Sequence, residues 1–302
     1  MDPLATIIMA LRPRAAGVKL ITGKGAWGAR YAAVKNAGFG LVLTGACWLQ
    51  IGAGEPVRFA EGDFVLMPPN PGFAIYTDAQ APRRELDARA SAGLAELRHG
   101  DPDGDPSFRM IGGYFQCEPA NAGLIASLLP ALLHVRREHR AAHRLHCVIE
   151  LIADEALSDR PGRDLVVERL IETLLLEALR CRAGDIGALA QPGLLEGLDD
   201  PQLARALRCI HAQPAEHWTV AALAHEAGLS RSTFSERFLR KVGLAPMEYV
   251  MRWRMALAKD MLRRGDPPLE TVAAAIGYES ASAFSTAFRR EVGCPPSHFA
   301  RA

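Results

Sequence analysis

Apolar residues change their spacing along the chain. Through residues 17–117, short apolar runs such as GVKLIT, FGLVLTG and DFVLMP alternate with glycine and proline turns. Short, closely spaced strands of this kind are typical of a β-sandwich or a β-barrel. From residue 119 to about 182, and again from residue 201 onward, apolar residues recur at helical intervals. The chain should therefore be α+β and multidomain, with a β-barrel and helical segment first and an all-α domain last.

The C-terminal part of the chain contains an internal repeat. Residues 230–246, SRSTFSERFLRKVGLAP, and residues 280–296, SASAFSTAFRREVGCPP, are identical at nine of seventeen positions. A repeat of this length is one supersecondary unit used twice. Each copy follows an alanine-rich helical segment that ends at a glycine, Gly228 or Gly277, and a serine suited to cap the next helix follows. Two helices joined by a glycine turn predict a helix-turn-helix in each copy.

The second helix of each copy has an apolar face and a polar face. Phe234 and Phe238 lie four residues apart, as do Phe284 and Phe288, so both pairs should be buried. Short polar side chains face away from them, on helices that also carry several arginines. Exposed polar groups beside positive charge suit a helix that reads the major groove of DNA.

Charge is divided unevenly along the chain. Residues 201–302 contain fourteen Lys and Arg and nine Asp and Glu, a net charge of +5, whereas residues 1–200 contain twenty-one and twenty-five, a net charge of −4. The whole-chain value of +1 hides this contrast. A basic C-terminal region attracts phosphates where the repeat predicts DNA binding. A helical interaction domain without a DNA role is the less favoured alternative.

A stiff connection joins the two copies. Residues 246–264 have helical periodicity, with Tyr249, Trp253 and Ala256 near one side. About seventeen residues at ~1.5 Å per residue make a rod of roughly 25 Å. Such a rod could hold two reading helices near the ~34 Å pitch of B-DNA, so that one molecule meets successive major grooves.

These features resemble the DNA-binding domain of the AraC/XylS family of bacterial transcription regulators. The resemblance covers residues 201–302 and rests on four motifs: WTVAALAHEAGLSRSTFSERF, PMEYVMRWRM, VAAAIGYESASAFSTAFRREVGCPP and SHFAR. It implies that the chain binds a double-stranded DNA operator and forms a homodimer, and it adds RNA polymerase as a further partner to consider.

By motif position, the resemblance also implies residue roles. The residues that read bases are then Ser232, Ser235 and Glu236 in the first copy and Ser282, Ser285 and Thr286 in the second. The residues that contact phosphates are Arg231, Arg237, Arg240, Arg289 and Arg290. Serine pairs with several base edges, so we expect specificity to rest on Glu236, which can accept a hydrogen bond from cytosine N4, and on DNA shape.

The barrel region looks like a cupin. The sequence EGDFVLMPPN followed by PGFAIYT has the strand, proline-rich turn and strand of that fold, and the family resemblance extends to regulators with a cupin-like sensor. Metal-binding cupins carry histidines on these strands, but Gly40 and Phe73 stand where they would be expected. We therefore expect no metal, no cofactor, no catalytic residue and no enzyme activity. A metal-dependent cupin enzyme fused to a DNA-binding domain is the first alternative.

The apolar interior of the barrel admits two interpretations. Six residues should point inward: Phe39, Leu41, Trp48, Phe64, Leu66 and Phe73. They either fill the barrel, as side chains do in many small barrels, or line a pocket for a small effector. If there is no effector, a constitutive architectural DNA-binding protein whose barrel only dimerises is the second alternative.

The cysteines are scattered along the chain. The six of them form no C-x-x-C pair, which argues against a disulfide framework or a zinc site. Cys47 or Cys117 could sense a redox change, but a buried inert thiol is the favoured interpretation.

A group of histidines is a candidate metal ladder. His139, His143, His146 and Glu150 share one helical face. Arginines in the same stretch oppose a cation and favour a solvated polar face instead; they are Arg136, Arg137, Arg140 and Arg144.

The chain divides into a sensor, a linker and a DNA-binding domain. The assigned ranges are 1–182 for the cupin-like sensor, 183–200 for a glycine- and proline-containing linker, and 201–302 for the DNA-binding domain, with helix-turn-helix units at 219–242 and 269–292. An apolar stripe along residues 164–179 packs either on the barrel or on a second subunit.

As a whole, the sequence predicts a transcription regulator of the cytoplasm. Residues 4–11 are apolar but too few to span a membrane, and they lack the basic start and cleavage site of a signal peptide. We expect an effector or a redox change in residues 1–182 to alter the disposition of the two reading helices.

Overall fold

The computed structural model of the chain describes residues 3–11, 13–33, 36–87, 94–116, 132–156, 158–180, 192–265 and 268–301. The described residues divide into two compact units. The barrel unit contains those from 13 to 180, and the helical unit contains residues 3–11 and those from 192 onward. The predicted α+β, multidomain fold is confirmed, because strands dominate the barrel unit and the helical unit is all-α.

The elements follow one another in the order that the apolar spacing indicates. The strands are β1 (Arg14–Lys24), β2 (Gly28–Tyr31), β3 (Ala37–Thr44), β4 (Ala46–Ile51), β5 (Val57–Ala60), β6 (Phe64–Met67), β7 (Phe73–Tyr76), β8 (Arg83–Leu86), β9 (Glu96–Gly100), β10 (Phe108–Gln116) and β11 (Leu133–Val135). The helices are α1 (Pro3–Leu11), α2 (Arg140–Ala156), α3 (Arg163–Leu179), α4 (Leu194–Asp199), α5 (Pro201–Ala212), α6 (Val220–Ala227), α7 (Arg231–Val242), α8 (Pro246–Arg264), α9 (Leu269–Ala275), α10 (Ala281–Val292) and α11 (Pro296–Arg301).

Two sheets build the barrel unit. One has the strand order β11-β6-β3-β10-β1-β9 and the other β5-β4-β7-β2-β8. Neighbouring strands are antiparallel except for β1 with β9 and β2 with β8. One apolar cluster combines residues of both sheets, among them Val42 and Val65 from the first and Leu49 and Ile75 from the second. The core of the unit therefore lies between the sheets.

On β3 and β6 of the first sheet, the side chains that point inward are one position away from those that the sequence predicted. Val42 on β3 and Val65 on β6 belong to the cluster between the sheets, and side chains on a strand alternate between its faces. Leu41, Phe64 and Leu66 therefore point to the opposite face, and each is fully buried there. Helices α2 and α3 contact this sheet through β1 and β6. Phe39 pairs with Leu66 across the two strands and therefore shares its face. The prediction that these four side chains point into the barrel is wrong.

Trp48 is also misplaced by the prediction. On β4, Cys47 and Leu49 are 3% exposed and belong to the cluster between the sheets, whereas Trp48 between them is 36% exposed. Its ring therefore lies on the outer face. The large apolar side chain of Trp48 suggested an inward position, but its smaller neighbour Cys47 is the residue that points inward.

The apolar stripe on α3 is used within the barrel unit. Its buried residues are Val167, Ile171, Leu174, Leu175, Ala178 and Leu179. Helix α3 contacts α2 and β1. Leu165 and Val166, at the start of α3, remain 58% and 43% exposed. The stripe thus packs within one chain, and only its first turn presents apolar side chains to solvent.

The predicted linker is partly helical. Residues 183–191 lie outside the described residues, but Leu194–Asp199 forms α4, which contacts α5 and α7. Leu194 is 1% exposed, and Lys241 Nζ lies 3.3 Å from Glu196 Oε2. The helical unit therefore begins before the predicted boundary at residue 201, since Gly193 precedes a packed short helix and Gly197 forms part of it.

The first helix of the chain packs in the helical unit, although the sequence placed it with the sensor. Helix α1 contacts α5 and α8. Thr6 Oγ1 lies 3.2 Å from His211 Nδ1, and His211 Nε2 lies 2.7 Å from the Tyr249 hydroxyl. The imidazole also packs against the Trp253 ring at 4.3 Å between centroids. His211 therefore joins three helices from the interior.

The buried position of His211 makes the stability of the helical unit depend on pH. Burial lowers the pKa of His211 to about 3. The unfolded histidine, with a pKa of about 6.5, binds a proton below that pH while the folded one does not. The contribution of His211 to the unfolding free energy should therefore be constant above about pH 6.5 and fall as the pH drops, by about 1.4 kcal/mol at pH 5.5.

The measurement is urea unfolding of the full chain at pH 7.5 and pH 5.5. His211→Gln keeps polar groups at the site but cannot titrate, so we expect it to remove this part of the pH dependence. His225→Gln is the matched control, because the His225 side chain is 90% exposed. Equal pH dependence in the wild type and His211→Gln would contradict the assignment.

Candidate functional site

The first helix-turn-helix consists of α6 and α7. Thr219 caps α6 by accepting a hydrogen bond from the Ala222 amide, and Ser230 caps α7 by accepting one from the Thr233 amide. Between the helices, Gly228 has φ of 66°, a left-handed conformation that glycine adopts without strain. Phe234 and Phe238 are fully buried, as their spacing predicts. The opposite side of α7 is left facing solvent.

The second helix-turn-helix repeats this construction with α9 and α10. Ser280 accepts a hydrogen bond from the Ala283 amide, Gly277 has φ of 78°, and Phe284 and Phe288 are fully buried. Both units are joined by α8, whose residues Tyr249, Trp253 and Ala256 are buried. The nineteen residues of α8 make one continuous helix.

The predicted base-reading residues lie together on the solvent-facing sides of α7 and α10. In α7, Ser232 and Glu236 are exposed and Ser235 is half-buried. In α10, Ser282 and Thr286 are exposed and Ser285 is half-buried. The carboxylate of Glu236 lies 3.6 Å from Arg240 Nη1. The hydroxyl of Thr286 donates to the carbonyl of Ser282 at 3.1 Å. Each helix therefore presents one short polar stripe.

Four of the five predicted phosphate contacts are exposed beside these stripes. They are Arg231, Arg240, Arg289 and Arg290. Two of them have weak local partners on their own helix, Glu236 for Arg240 and Glu291 for Arg290, at 3.6 Å and 3.7 Å. Such exposed pairs contribute little to stability and exchange readily for another anion.

Arg237 differs from the other four. Its Nε donates to Asp200 Oδ2 at 2.6 Å and its Nη1 to Gln202 Oε1 at 2.8 Å. The Asp200 side chain is only 2% exposed, and its other oxygen accepts from the Gln202 and Leu203 amides at the start of α5. Arg237 therefore holds α7 against α5, and the prediction that it contacts phosphate does not fit its position.

The orientation of the two helix-turn-helix units is fixed by contacts that the sequence did not indicate. Arg254 on α8 donates to the carbonyls of Pro214 and Glu216, both at 2.8 Å. A side chain at Gly277 would overlap the carbonyl oxygen of Ala215. The loop before α6 is thus packed against the turn of the second helix-turn-helix, so the two are connected by these contacts as well as by α8.

The barrel unit contains a cavity of about 830 Å³. Its buried wall is apolar and includes Ile21, Leu49, Phe59, Val65 and Met110. Part of the wall is backbone, because Gly38, Gly40, Gly112 and Gly113 carry no side chain. Of the six residues predicted to point inward, Phe73 lines the cavity and packs against the cluster between the sheets. Phe39 also borders the cavity, but its side chain shares the opposite face of the sheet with Leu66. Gly40 and Phe73, the positions at which metal-binding histidines were expected, both line this space.

Cys47 lines the same cavity. Burial, followed by the nearby charge of Asp63, raises the pKa of the Cys47 thiol to about 12. It is therefore protonated at neutral pH, and a thiol is a far weaker nucleophile than a thiolate. Cys117 lies outside the described residues.

The histidines of α2 pair along the helix. His146 Nε2 lies 3.0 Å from Glu150 Oε1, and His143 Nε2 lies 3.9 Å from the Cys147 sulfur. His139 lies before the helix. In the ranges given above, His, Cys, Asp and Glu nowhere gather in a group of three or more suited to a metal ion.

The helices were also compared with the length of a membrane span. Of the helices that the structure describes, none is long and apolar enough to cross a bilayer.

Comparison with known proteins places both units in one family. A family model described as cupin matches residues 2–183, and one described as a helix-turn-helix domain matches residues 223–302. An AraC-like transcription regulator of Streptomyces lividans is 35% identical over 99% of this chain and 98% of its own length. The RCS-specific transcriptional activator RclR of Escherichia coli K12 is 25% identical over 84% of this chain and 81% of its own.

Among solved structures, the DNA-binding domain of AdpA in complex with a target DNA is 29% identical, with a TM-score of 0.32, and the match covers 34% of this chain and 91% of that one. The relatives compared here carry names of transcription regulators rather than enzymes. The chain belongs to the AraC family of transcription regulators, in the group that joins an N-terminal cupin domain to a C-terminal helix-turn-helix DNA-binding domain.

Proposed function

We propose that α7 and α10 read the bases of a DNA operator through their two polar stripes. The observation that carries this proposal is the repetition of the stripe, fifty residues apart, on helices with the same caps and the same buried phenylalanines. The base-reading residues are Ser232, Ser235 and Glu236 in the first unit and Ser282, Ser285 and Thr286 in the second. Hydroxyl groups tolerate several bases, so Glu236 contributes the sharpest preference.

The exposed arginines beside the stripes neutralise phosphates. Arg240→Ala or Arg290→Ala should weaken binding to all sequences and reduce the slope of log affinity against log salt by about one contact, 0.9 in B-DNA. The slope is measured by fluorescence anisotropy between low and physiological salt. Arg169→Ala on α3, an exposed arginine paired with Glu172, is the control for loss of charge. Unchanged slopes in both DNA-side variants would contradict the phosphate roles.

The barrel cavity binds the effector. Its volume lies within the ~300–1,000 Å³ range of small-molecule sites. The buried wall is apolar, while the more exposed lining is polar and includes Lys19, Asn36, Asn70, Glu85 and Asp87. An effector that is largely apolar and carries one polar end matches this division. Binding changes regulation if the effector prefers one arrangement of the chain over another.

Narrowing the cavity should reduce the response to an effector. Gly38 is suited to this test, because an added Cβ would lie 3.5 Å from the Met67 methyl and 3.7 Å from the Gly113 carbonyl, which are ordinary contacts. A metabolite at a hundred times its Kd should stabilise the wild type by about 2.7 kcal/mol and Gly38→Val by less, because the added side chain narrows the cavity beside Met67. The measurement is thermal shift of the full chain, and Arg58→Ala, an exposed strand position outside the cavity, should respond like the wild type. An equal rise in Gly38→Val would place the effector elsewhere.

Three further expectations belong to the same proposal. The regulator is a homodimer, it works in the cytoplasm, and it contacts RNA polymerase at its target promoters. The exposed first turn of α3, with Leu165 and Val166, is the apolar surface that supports a dimer contact in the barrel unit. Sedimentation of a Leu165→Asp variant tests it, since a dimer held there would dissociate.

A further inference from the structure

One exposed apolar side chain on α7 is not explained by the fold. Leu239 is 53% exposed, although the rest of the apolar residues of this helix, Phe234, Phe238 and Val242, are buried. At about 100° per residue, positions 232, 235, 236 and 239 fall within one stripe roughly 100° wide. Leu239 therefore lies on the polar stripe assigned to base reading, in line with Ser232 and Glu236.

The spacing of these four positions is one that DNA-reading helices use. Positions i, i+3, i+4 and i+7 are those from which the recognition helix of a homeodomain reaches bases in the major groove. Residues 232, 235 and 236 occupy the first three, and Leu239 occupies the fourth. Basic side chains lie beside it, since Arg240 is the next residue and is 65% exposed. The helix thus offers DNA an apolar group within a positively charged surface.

The chemistry of the major groove leaves one partner for such a group. A leucine side chain neither donates nor accepts hydrogen bonds, and the one apolar feature on the base edges of the major groove is the C5 methyl of thymine. Contact between the two removes apolar surface of both from water. We propose that Leu239 is a fourth base-reading residue of α7 and that it selects thymine through its 5-methyl group.

The two helix-turn-helix units should differ in this preference for thymine. The fifty-residue repeat places Arg289 at the position of Leu239 in the second unit. Arg289 is exposed and charged, so α10 has no apolar group there. A thymine preference at this position should therefore occur in the half of the operator that α7 reads and be absent from the half that α10 reads. This inference rests on the proposed base-reading role of α7.

The test uses the full chain and its own operator, selected from random duplexes. Each thymine is replaced in turn by deoxyuridine, which removes only the methyl group. At one thymine, within about two base pairs of the position that Glu236 reads, the replacement should weaken binding of the wild type about fourfold, as expected for one methyl contact. Leu239→Ala should bind the original operator about fourfold more weakly and make no distinction between thymine and deoxyuridine at that position.

Two companion variants make each outcome decisive. Met247→Ala removes another exposed apolar side chain of the helical unit, 37% exposed on α8, and should keep the full discrimination. Glu236→Gln should change base preference at its own position. One outcome overturns the inference: Leu239→Ala keeps both its affinity and its methyl discrimination, while Glu236→Gln changes base preference. The base-reading role of α7 then stands, and Leu239 serves a protein partner instead. If neither variant alters sequence preference, the base-reading role of α7 itself is wrong.

Discussion

Replacing Arg237 with alanine should lower the unfolding free energy of the helical unit by about 3 kcal/mol, the lower end of the range for breaking a buried ion pair. The Asp200 side chain is 2% exposed, and the substitution leaves this buried carboxylate without the guanidinium 2.6 Å away. Because Arg237 itself is removed, Asp200 is the one charge of the pair that remains. Urea unfolding of the full chain at neutral pH measures the loss. DNA affinity should fall as well, because α7 is no longer held against α5, but with an unchanged salt slope.

Arg240→Ala is the control on the same helix. The Arg240 side chain is 65% exposed and has only a 3.6 Å contact with Glu236. Its removal should change stability by less than about 0.5 kcal/mol and should lower the salt slope. The two arginines, three residues apart, thus separate stability from phosphate binding. A stability loss as large for Arg240→Ala as for Arg237→Ala would remove the distinction that we draw between them.

Gly277→Ala should destabilise the helical unit about as much as Arg237→Ala, through a different contact. Its φ of 78° costs about 1–2 kcal/mol for any other residue, and the overlap of the added methyl with the Ala215 carbonyl adds about 1–3 kcal/mol. The loop at Ala215 and the Arg254 hydrogen bonds beside it must then shift. We expect a loss of about 3 kcal/mol in unfolding free energy and weaker binding to an operator that engages both units.

Gly228→Ala is the matched control from the first unit. Gly228 has φ of 66°, but an added methyl would meet only Arg205 Nη2, 3.9 Å away. The cost should therefore be the conformational strain alone, about 1 kcal/mol. The difference between the two variants isolates the contact that fixes one helix-turn-helix against the other. Equal losses would mean that Ala215 moves aside freely.

The sequence was most informative where the signals are local. The caps, the glycine turns and the phenylalanine pairs of both helix-turn-helix units depend on residues within a few positions of each other, and all occur as predicted. Arg237 was misjudged because its partner Asp200 lies thirty-seven residues away, and the three arginines of α7 look alike before the tertiary contact is known. Local patterns cannot tell an arginine that binds a neighbouring helix from one that faces DNA.

The barrel shows a second kind of limit. On β3, residues 39–42 are all buried, because the sheet has the second sheet on one side and α2 and α3 on the other. A strand that is covered on both faces has no polar alternation from which to read its inward side. The prediction of Phe39, Leu41, Phe64 and Leu66 as inward residues was therefore displaced by one position. The glycines that line the cavity were a better indication of the inward face, because glycine leaves space at the cavity wall.

Helix α1 has a consequence for how the protein is made. Its contact with α5 joins Thr6 to His211, 205 residues later in the chain. At ribosomal rates of about 5–20 residues per second, α1 waits roughly ten seconds or longer for its packing partner to be made. Ile7 and Ile8, which end up buried, remain uncovered throughout that interval. Helix α1 is therefore synthesised long before it can reach its place, which makes it a target for chaperones during synthesis.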